Sequence, residues 1–410
     1  MFLGVSNDVC RRELPSVYKR NSAEIECFLL LAKSVIRGAE IDVKKVISGG
    51  AMNWKKFREQ ILFHEISPFL YPLFKNFEGI IPDDLRRLLK GNYYATLARS
   101  ENFWQEFLFL AAAFKAKKIS MVPIKGVAVL ADIYRERPFR PMVDIDILVK
   151  KEEAARAEEL LRELGYEKNL GGLKETYWLE KNCELTFVKK TLGKPLLVDV
   201  HFGLDFKRPH TIQLPRLWER VRYVPVDGQM VALLSPEDQL FSIALHGRRY
   251  GGRPLCLKNV LDLAIILEKY REQFDWDYVA REAHAGRMRS TVFFILLRAA
   301  VFFDVPVPDR VWKGLKVPFY KRWLMLRLIE RNTFIPYWSA MDKAIFLKSH
   351  FLLFDDFLEP AAYLVNVPIE QFAKYYDLNP YEKRTRFFYR ARLLYILAKG
   401  IYAENEKSTR

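Results

Sequence analysis

Cysteine is scarce in this chain. The 410 residues include four cysteines, at Cys10, Cys27, Cys183 and Cys256. These positions lie too far apart for a zinc knuckle, and four cysteines are too few for a disulfide framework in a chain of this length. We therefore exclude a disulfide-stabilised secreted protein and expect a reducing, cytoplasmic environment.

Long apolar runs are also absent from the sequence. The apolar window at residues 103–114 is interrupted by Glu106 and falls short of the roughly 20 residues that a membrane-spanning helix needs. Near the start, Asn7 and Asp8 come before an apolar segment of signal-peptide length can develop. We therefore expect neither a transmembrane segment nor a signal peptide.

Several well-known catalytic motifs are missing as well. The sequence contains no Gly-x-Gly-x-x-Gly, no Walker phosphate-binding loop and no His-Glu-x-x-His, and no serine or cysteine lies in a recognisable nucleophile setting. These absences argue against the dinucleotide-dependent, P-loop, zinc-protease and acyl-enzyme classes.

The composition is that of a folded, basic protein. Half of the residues are apolar, which excludes a disordered or fibrous chain. The 66 Lys and Arg residues outnumber the 50 Asp and Glu residues, so the formal net charge is +16. This excess predicts an anionic partner, and nucleotide, nucleic acid and an acidic membrane surface all qualify.

Paired carboxylates on a predicted strand are the strongest chemical signal. In the apolar run 142–149, Asp144 and Asp146 alternate with Val143, Ile145 and Ile147, so both acids should lie on one face of the strand. Two close carboxylates repel each other unless a cation lies between them, and Mg²⁺ is the usual one. The alternative is an Asp-x-Asp pair that only caps the neighbouring loop.

A third acid lies on a second predicted strand. In the run 195–202, Asp199 and His201 share a face. If the two strands pair, Asp144, Asp146 and Asp199 converge, as in sites that bind two Mg²⁺ ions and a triphosphate. We predict that His201 orients Asp199; its alternatives are a proton acceptor and a side chain that only fills the layer.

The segments before the paired acids supply glycine and positive charge. Gly126 lies between a predicted strand and a predicted helix, where backbone N–H groups can approach phosphate, although a simple tight turn is the alternative. Arg140 precedes Asp144 by four residues and can clamp a triphosphate or pair with Asp144 or Asp146.

Together these motifs resemble a known family. The combination of Lys125-Gly126, Tyr134 and Arg140-Pro141-Met142 with the Asp144-Ile145-Asp146 strand resembles the uncharacterised nucleotidyltransferase-like family of the polymerase-β-type nucleotidyltransferase superfamily. Further similarities, over roughly residues 50–270, are His64-Glu65, Ser235-Pro236-Glu237-Asp238 and Leu261-Asp262-Leu263-Ala264.

The resemblance implies an activity and a ligand set. It implies transfer of an NMP group from an NTP to an acceptor, with release of pyrophosphate, and Mg²⁺ or Mn²⁺ bound by Asp144, Asp146 and Asp199. The superfamily normally has a second small residue beside its glycine, where this chain has Lys125. We predict that Lys125 holds a phosphate by charge, and a solvated turn lysine is the alternative. The acceptor is open: protein, RNA, metabolite or sugar phosphate.

A second function class uses the same fold. The chain can be a catalytically inactive module that binds nucleotide or RNA without turnover. Loss of one of the three acids would favour that class, and all three are present here.

The order of predicted elements indicates an α+β protein with an α/β core. We predict a helical region at 1–118, a nucleotidyltransferase-type mixed sheet with helices at 119–234, and a helical region at 235–410. Predicted strands lie at 121–124, 142–149, 177–179, 184–188 and 196–202.

A basic and aromatic segment lies at 383–395. Its five cations and four aromatic residues predict a helix that binds an anionic polymer or an acidic membrane surface. The alternative is a plain packing helix in which Phe387, Leu394 and Tyr395 are buried and the arginines remain in solvent.

Overall fold

The architecture of the chain is seen in a computed structural model. The residues that it describes are 23–38, 42, 47, 52–75, 79, 81–134, 140–171, 175, 178–179, 183–191, 194–205, 210–249, 255–334, 349–365, 369, 372–373 and 378–391. Within them the fold is mixed α+β, as predicted.

Helices precede and follow a block of strands. The helices are α1 (Ala23–Arg37), α2 (Trp54–Phe63), α3 (Ser67–Phe74), α4 (Asp83–Ala116), α5 (Lys125–Asp132), α6 (Ala154–Glu163), α7 (Leu214–Glu219), α8 (Pro236–Arg249), α9 (Lys258–Lys269), α10 (Trp276–Ala285), α11 (Arg289–Phe303), α12 (Asp309–Gly314), α13 (Phe319–Asn332), α14 (Leu358–Val365) and α15 (Lys383–Arg390). The strands are β1 (Met121–Pro123), β2 (Ile145–Val149), β3 (Glu167–Asn169), β4 (Glu184–Lys189), β5 (Leu196–His201), β6 (Arg222–Val226) and β7 (Gln229–Leu233).

Five strands form one mixed sheet in the order β1-β2-β5-β4-β3. The β2 and β5 strands are parallel neighbours, and every other pair in this sheet is antiparallel. In the parallel pair, Asp146 lies opposite Asp199. The register therefore places the two predicted acids side by side.

Local sequence signals account for several helix boundaries. Asn53 begins α2 by accepting a hydrogen bond from the Lys56 backbone N–H, and Ser235 Oγ does the same for Asp238 before α8. Gly165, with φ of +85°, follows the end of α6. The α4 helix continues through Gly91 and Ser100 without a break.

Two strand predictions differ from the structure, and one hairpin was not predicted. The strand expected at 142–149 begins only at Ile145, so Asp144 lies just before it. The segment 177–179 was expected to be a strand, but Trp178 and Leu179 are helical, and the edge strand is β3 instead. Trp178 donates from Nε1 to the Leu170 carbonyl oxygen at 2.9 Å, so its side chain packs beside the end of β3. The β6–β7 hairpin has no counterpart among the predicted strands.

A continuous core joins the predicted regions. Buried apolar side chains form one cluster from Ile25 to Leu353. The described strands fall between residues 121 and 233, inside the predicted middle region. Division of the chain into three domains stays a prediction.

The basic segment is helical where it is described. In α15, Thr385 is buried, whereas Phe387 is 66% exposed. The alternative in which Phe387 is buried is therefore wrong, because this ring is exposed, as are Arg384 and Arg386. Residues 392–395 lie outside the described residues. No helix within the described ranges has the length and apolar character needed to cross a membrane.

Candidate active site

The first residues of β2 and the second half of β5 bring the predicted acids and histidine together. Ligand atoms of Asp146, Asp199 and His201 all lie within 4.8 Å of one another, and this is the spacing of groups that share a metal ion. Asp146 comes from β2, and Asp199 and His201 come from β5. The buried apolar residues Ile145, Ile147, Val198 and Val200 fix both strands in the sheet. The group fits a divalent cation because its donors are clustered, largely buried and rich in carboxylate oxygen.

Asp144 lies immediately before β2. It is half-buried at the wall of a cavity and is not a member of the 4.8 Å group. Asp144 still interacts with the group electrostatically. Burial, and then repulsion from Asp146, raises the pKa of Asp144 to about 6.

Asp199 is the acid most disfavoured in its charged form. Burial, then repulsion from Asp146 and Asp144, raises the pKa of Asp199 to about 7. Thr186 on the neighbouring strand donates from Oγ1 to Asp199 Oδ1 at 2.7 Å. The hydroxyl of Thr186 thus orients this carboxylate.

His201 contacts a different carboxylate from the predicted one. Its Nε2 lies 2.8 Å from Asp146 Oδ1, and its Nδ1 lies 3.4 Å from Glu184 Oε2. The prediction that His201 orients Asp199 named the wrong partner, because the β2–β5 register places the His201 ring against Asp146, while Thr186 takes Asp199. Burial, followed by the nearby Lys125 charge, lowers the pKa of His201.

Lys125 reaches the acids and is not a solvated turn residue. Its Nζ donates to Asp146 Oδ1 at 2.5 Å and lies 3.4 Å from His201 Nε2. The Lys125 side chain is 15% exposed. Burial alone would raise the pKa of Asp146, but Lys125 and His201 together hold that pKa below its usual value.

Gly126 has a packing role in addition to its predicted role in a turn. It lies in the first turn of α5, and the residue with a left-handed backbone is Lys125, with φ of +53°. A Cβ atom on Gly126 would lie 3.2 Å from both Cβ and Sδ of Met142. The glycine therefore lets α5 approach the segment that carries Asp144.

Arg140 pairs with an acid that the prediction did not consider. Its Nε donates to Asp262 Oδ2 at 2.8 Å, and Asp262 also accepts from the Tyr134 hydroxyl at 2.7 Å. Arg140 is 6% exposed and Asp262 is 1% exposed. The expected pairing with Asp144 or Asp146 is wrong, because the buried Asp262 on α9 takes the guanidinium. Arg140 thereby fixes the segment before β2 to α9.

A cavity of about 540 Å³ opens beside the acids. Asp144, Asp146, Lys125 and Gly126 form one side. Arg140 from the segment before β2 also lines the cavity. The helical regions that precede and follow the sheet in sequence contribute the polar and charged residues Glu65, Arg99, His246, Lys258, Asn259 and Asp262. The cavity is thus enclosed by all three predicted regions.

Sequence reasoning missed several of these residues. Arg99 lies within the long α4 helix and carries no local motif, so only the fold brings it to the cavity. Asp262 did give a signal, because it is a single acid in an apolar helical run and such a buried acid needs a partner. Glu65 and Lys258 form an ion pair across the cavity wall.

Comparison with known proteins places the chain in a family. The family described as uncharacterised nucleotidyltransferase matches residues 50–304, more than half of the chain. The protein therefore belongs to the uncharacterised nucleotidyltransferase family, as the motifs indicated. No curated protein matches the sequence.

The raised pKa values of Asp144 and Asp199 predict a pH-dependent stability. In protein freed of divalent ions, the folded state keeps these two protons at a pH where the unfolded state, with an acid pKa near 3.8, has lost them. The free energy of unfolding should therefore fall as pH rises from about 4 to 7. Asp199→Asn removes this charge and should stabilise the protein at pH 8, by on the order of 1–3 kcal/mol, with little effect at pH 4.

Thermal unfolding in EDTA at pH 4 to 8 measures this difference. The exposed Glu152 offers a matched control, and Glu152→Gln should leave the pH profile unchanged. If Asp199→Asn and Glu152→Gln had the same dependence of stability on pH, this would contradict the raised pKa of Asp199.

The buried Arg140–Asp262 pair predicts a large loss of stability when one partner is removed. Asp262→Ala leaves a buried guanidinium without its carboxylate and should lower the free energy of unfolding by about 3 kcal/mol. The control is Asp84→Ala, which removes an exposed ion pair to Arg58 at 3.4 Å and should cost under about 1 kcal/mol. Urea titration compares the two variants, and equal midpoints would show that Arg140 is not fixed by Asp262.

Proposed function

We propose that the protein transfers an NMP group from an NTP to a hydroxyl or phosphate acceptor, with release of pyrophosphate. The observation that carries this proposal is the Asp146, Asp199 and His201 group beside a cavity lined by both acidic and basic side chains, in a chain of a nucleotidyltransferase family.

The three acids are the proposed metal-binding residues. Asp146 and Asp199 would hold Mg²⁺ or Mn²⁺, with Asp144 completing the set from the cavity wall, and the bound ion would neutralise charge on the triphosphate. His201 is proposed as a positioning residue, because it lies between Asp146 and Glu184 and holds the Asp146 carboxylate in place.

The proposed nucleotide site is the cavity. Arg99, Lys125 and Lys258 contribute positive charge to its lining, which suits the phosphates of an NTP. Gly126 lies at the N-terminal end of α5, where backbone N–H groups lack partners within the helix and can face phosphate oxygen. Arg140 is proposed to hold one wall of the cavity in place through its ion pair with Asp262.

The reaction itself needs little covalent participation by the protein. An acceptor oxygen forms the new bond to the α-phosphorus while the bond to the bridging oxygen breaks, and pyrophosphate leaves. Protein side chain, RNA end, metabolite and sugar phosphate all offer such an oxygen. We propose a cytoplasmic location for this activity, in keeping with the sparse cysteines. We also propose that the exposed cations of α15 contact an anionic polymer or an acidic membrane surface.

Asp144→Asn is the sharpest test of the proposed chemistry. The substitution relieves repulsion with Asp146, so the fold should remain, while pyrophosphate release from the four NTPs in Mg²⁺ or Mn²⁺ should fall by at least about 100-fold. Asp199→Asn should behave in the same way, and Glu152→Gln should retain full activity.

The same assay separates the two function classes. Metal-dependent NTP binding without pyrophosphate release by the wild-type protein would favour the inactive binding module. Undiminished release by both Asp144→Asn and Asp199→Asn would contradict the proposed metal site.

A further inference from the structure

We propose that Lys125 serves as an internal cation on Asp146 in the free protein, and that its ammonium moves to the nucleotide phosphates when a divalent ion and an NTP bind together. This inference rests on the proposed function and adds a rule to it: the divalent ion binds weakly until nucleotide arrives.

The first support is that Lys125 already contacts a carboxylate oxygen of the proposed metal site. Its Nζ is 2.5 Å from Asp146 Oδ1, and the same oxygen is 2.8 Å from His201 Nε2. One carboxylate oxygen thus has two nitrogen partners in the free protein. A divalent ion on that oxygen would lie within a few ångströms of the ammonium, and two cations at that distance repel each other strongly.

The second support is the backbone that delivers Lys125. Its φ of +53° is in the left-handed region, which side chains with a Cβ rarely adopt. The preceding residue, Ile124, donates its backbone N–H to the Asp146 carbonyl oxygen at 3.0 Å. The turn is therefore anchored to the Asp146 backbone, and it directs the lysine side chain to the Asp146 carboxylate.

The third support is the space beside the ammonium. Lys125 lines the same cavity as Asp144, Arg99 and Lys258. When its ammonium leaves Asp146, it enters the cavity, where phosphate oxygens would be bound. This movement requires no rearrangement of the sheet. Lysine fits this exchange because its ammonium is a compact charge on a flexible stem.

The proposal makes an unusual prediction for metal binding without nucleotide. A lysine that only binds phosphate would not change the affinity for the metal in the absence of nucleotide. A lysine that supports the site structurally would increase that affinity. A competing internal cation weakens metal binding, so its removal should increase the affinity. We expect Lys125→Met to bind Mn²⁺ about tenfold more tightly than the wild-type protein.

The experiment measures free Mn²⁺ by electron paramagnetic resonance during titration of the full chain, with and without ATP. Lys118→Met is the matched control, because Lys118 is exposed and has the same left-handed φ of +53°. Its Mn²⁺ affinity should equal that of the wild-type protein. Lys125→Gly is the second test variant, since glycine suits the left-handed backbone and keeps the test valid if Lys125→Met does not fold.

The outcomes separate this inference from the proposed function. Tighter Mn²⁺ binding by the Lys125 variants, with a smaller gain on ATP addition than in the wild-type protein, supports the inference. Equal or weaker Mn²⁺ binding by these variants overturns it, even where the wild-type protein binds Mn²⁺ and ATP together. Binding of Mn²⁺ and ATP by Asp199→Asn as tightly as by the wild-type protein contradicts the proposed function itself.

Discussion

The parallel pairing of β2 with β5 is the constraint on which the rest of the site depends. This register sets Asp146 directly opposite Asp199, so ligand oxygens of the two carboxylates lie within 4.8 Å of each other and their negative charges repel. Several neighbours offset the repulsion. Lys125 and His201 stabilise the charge on Asp146, whereas the pKa of Asp199 is raised and its carboxyl group accepts a hydrogen bond from Thr186.

The helical regions complete this site. Arg140 and Tyr134, at the two ends of the segment 135–139, both bond to Asp262 on α9. His64 accepts a hydrogen bond at Nδ1 from the Leu257 backbone N–H, immediately before α9, and burial lowers the pKa of His64 to about 3. The family match to residues 50–304 covers all of these contacts. Many of the motif residues outside the acids thus hold the walls of the cavity together.

Period-two alternation was enough to predict the two central strands and to place Asp146 and Asp199 on them, whereas Asp144 lies just before β2. The short-range signals at Asn53, Ser235 and Gly165 explain element ends, because each acts on the backbone within a few residues. The order of predicted elements indicated the fold class, and the family resemblance added the expected transfer of an NMP group, which alternation alone leaves open.

Partners separated by long stretches of chain were beyond sequence reasoning. Arg140 and Asp262 are 122 residues apart, and His201 and Asp146 are 55 apart. Each pair depends on packing and register, so local patterns name a charged residue but not its counterion. The left-handed backbone of Lys125 was missed because the neighbouring Gly126 offered the more usual residue for such a turn.

A crystal structure with Mn²⁺ and a non-hydrolysable ATP analogue, with the ion located by its anomalous scattering, tests the central claim most directly. The account predicts Mn²⁺ about 2.1 Å from carboxylate oxygens of both Asp146 and Asp199, with the Lys125 ammonium on a phosphate oxygen. An ion bound elsewhere, or a Lys125–Asp146 pair still intact beside the bound analogue, would contradict it.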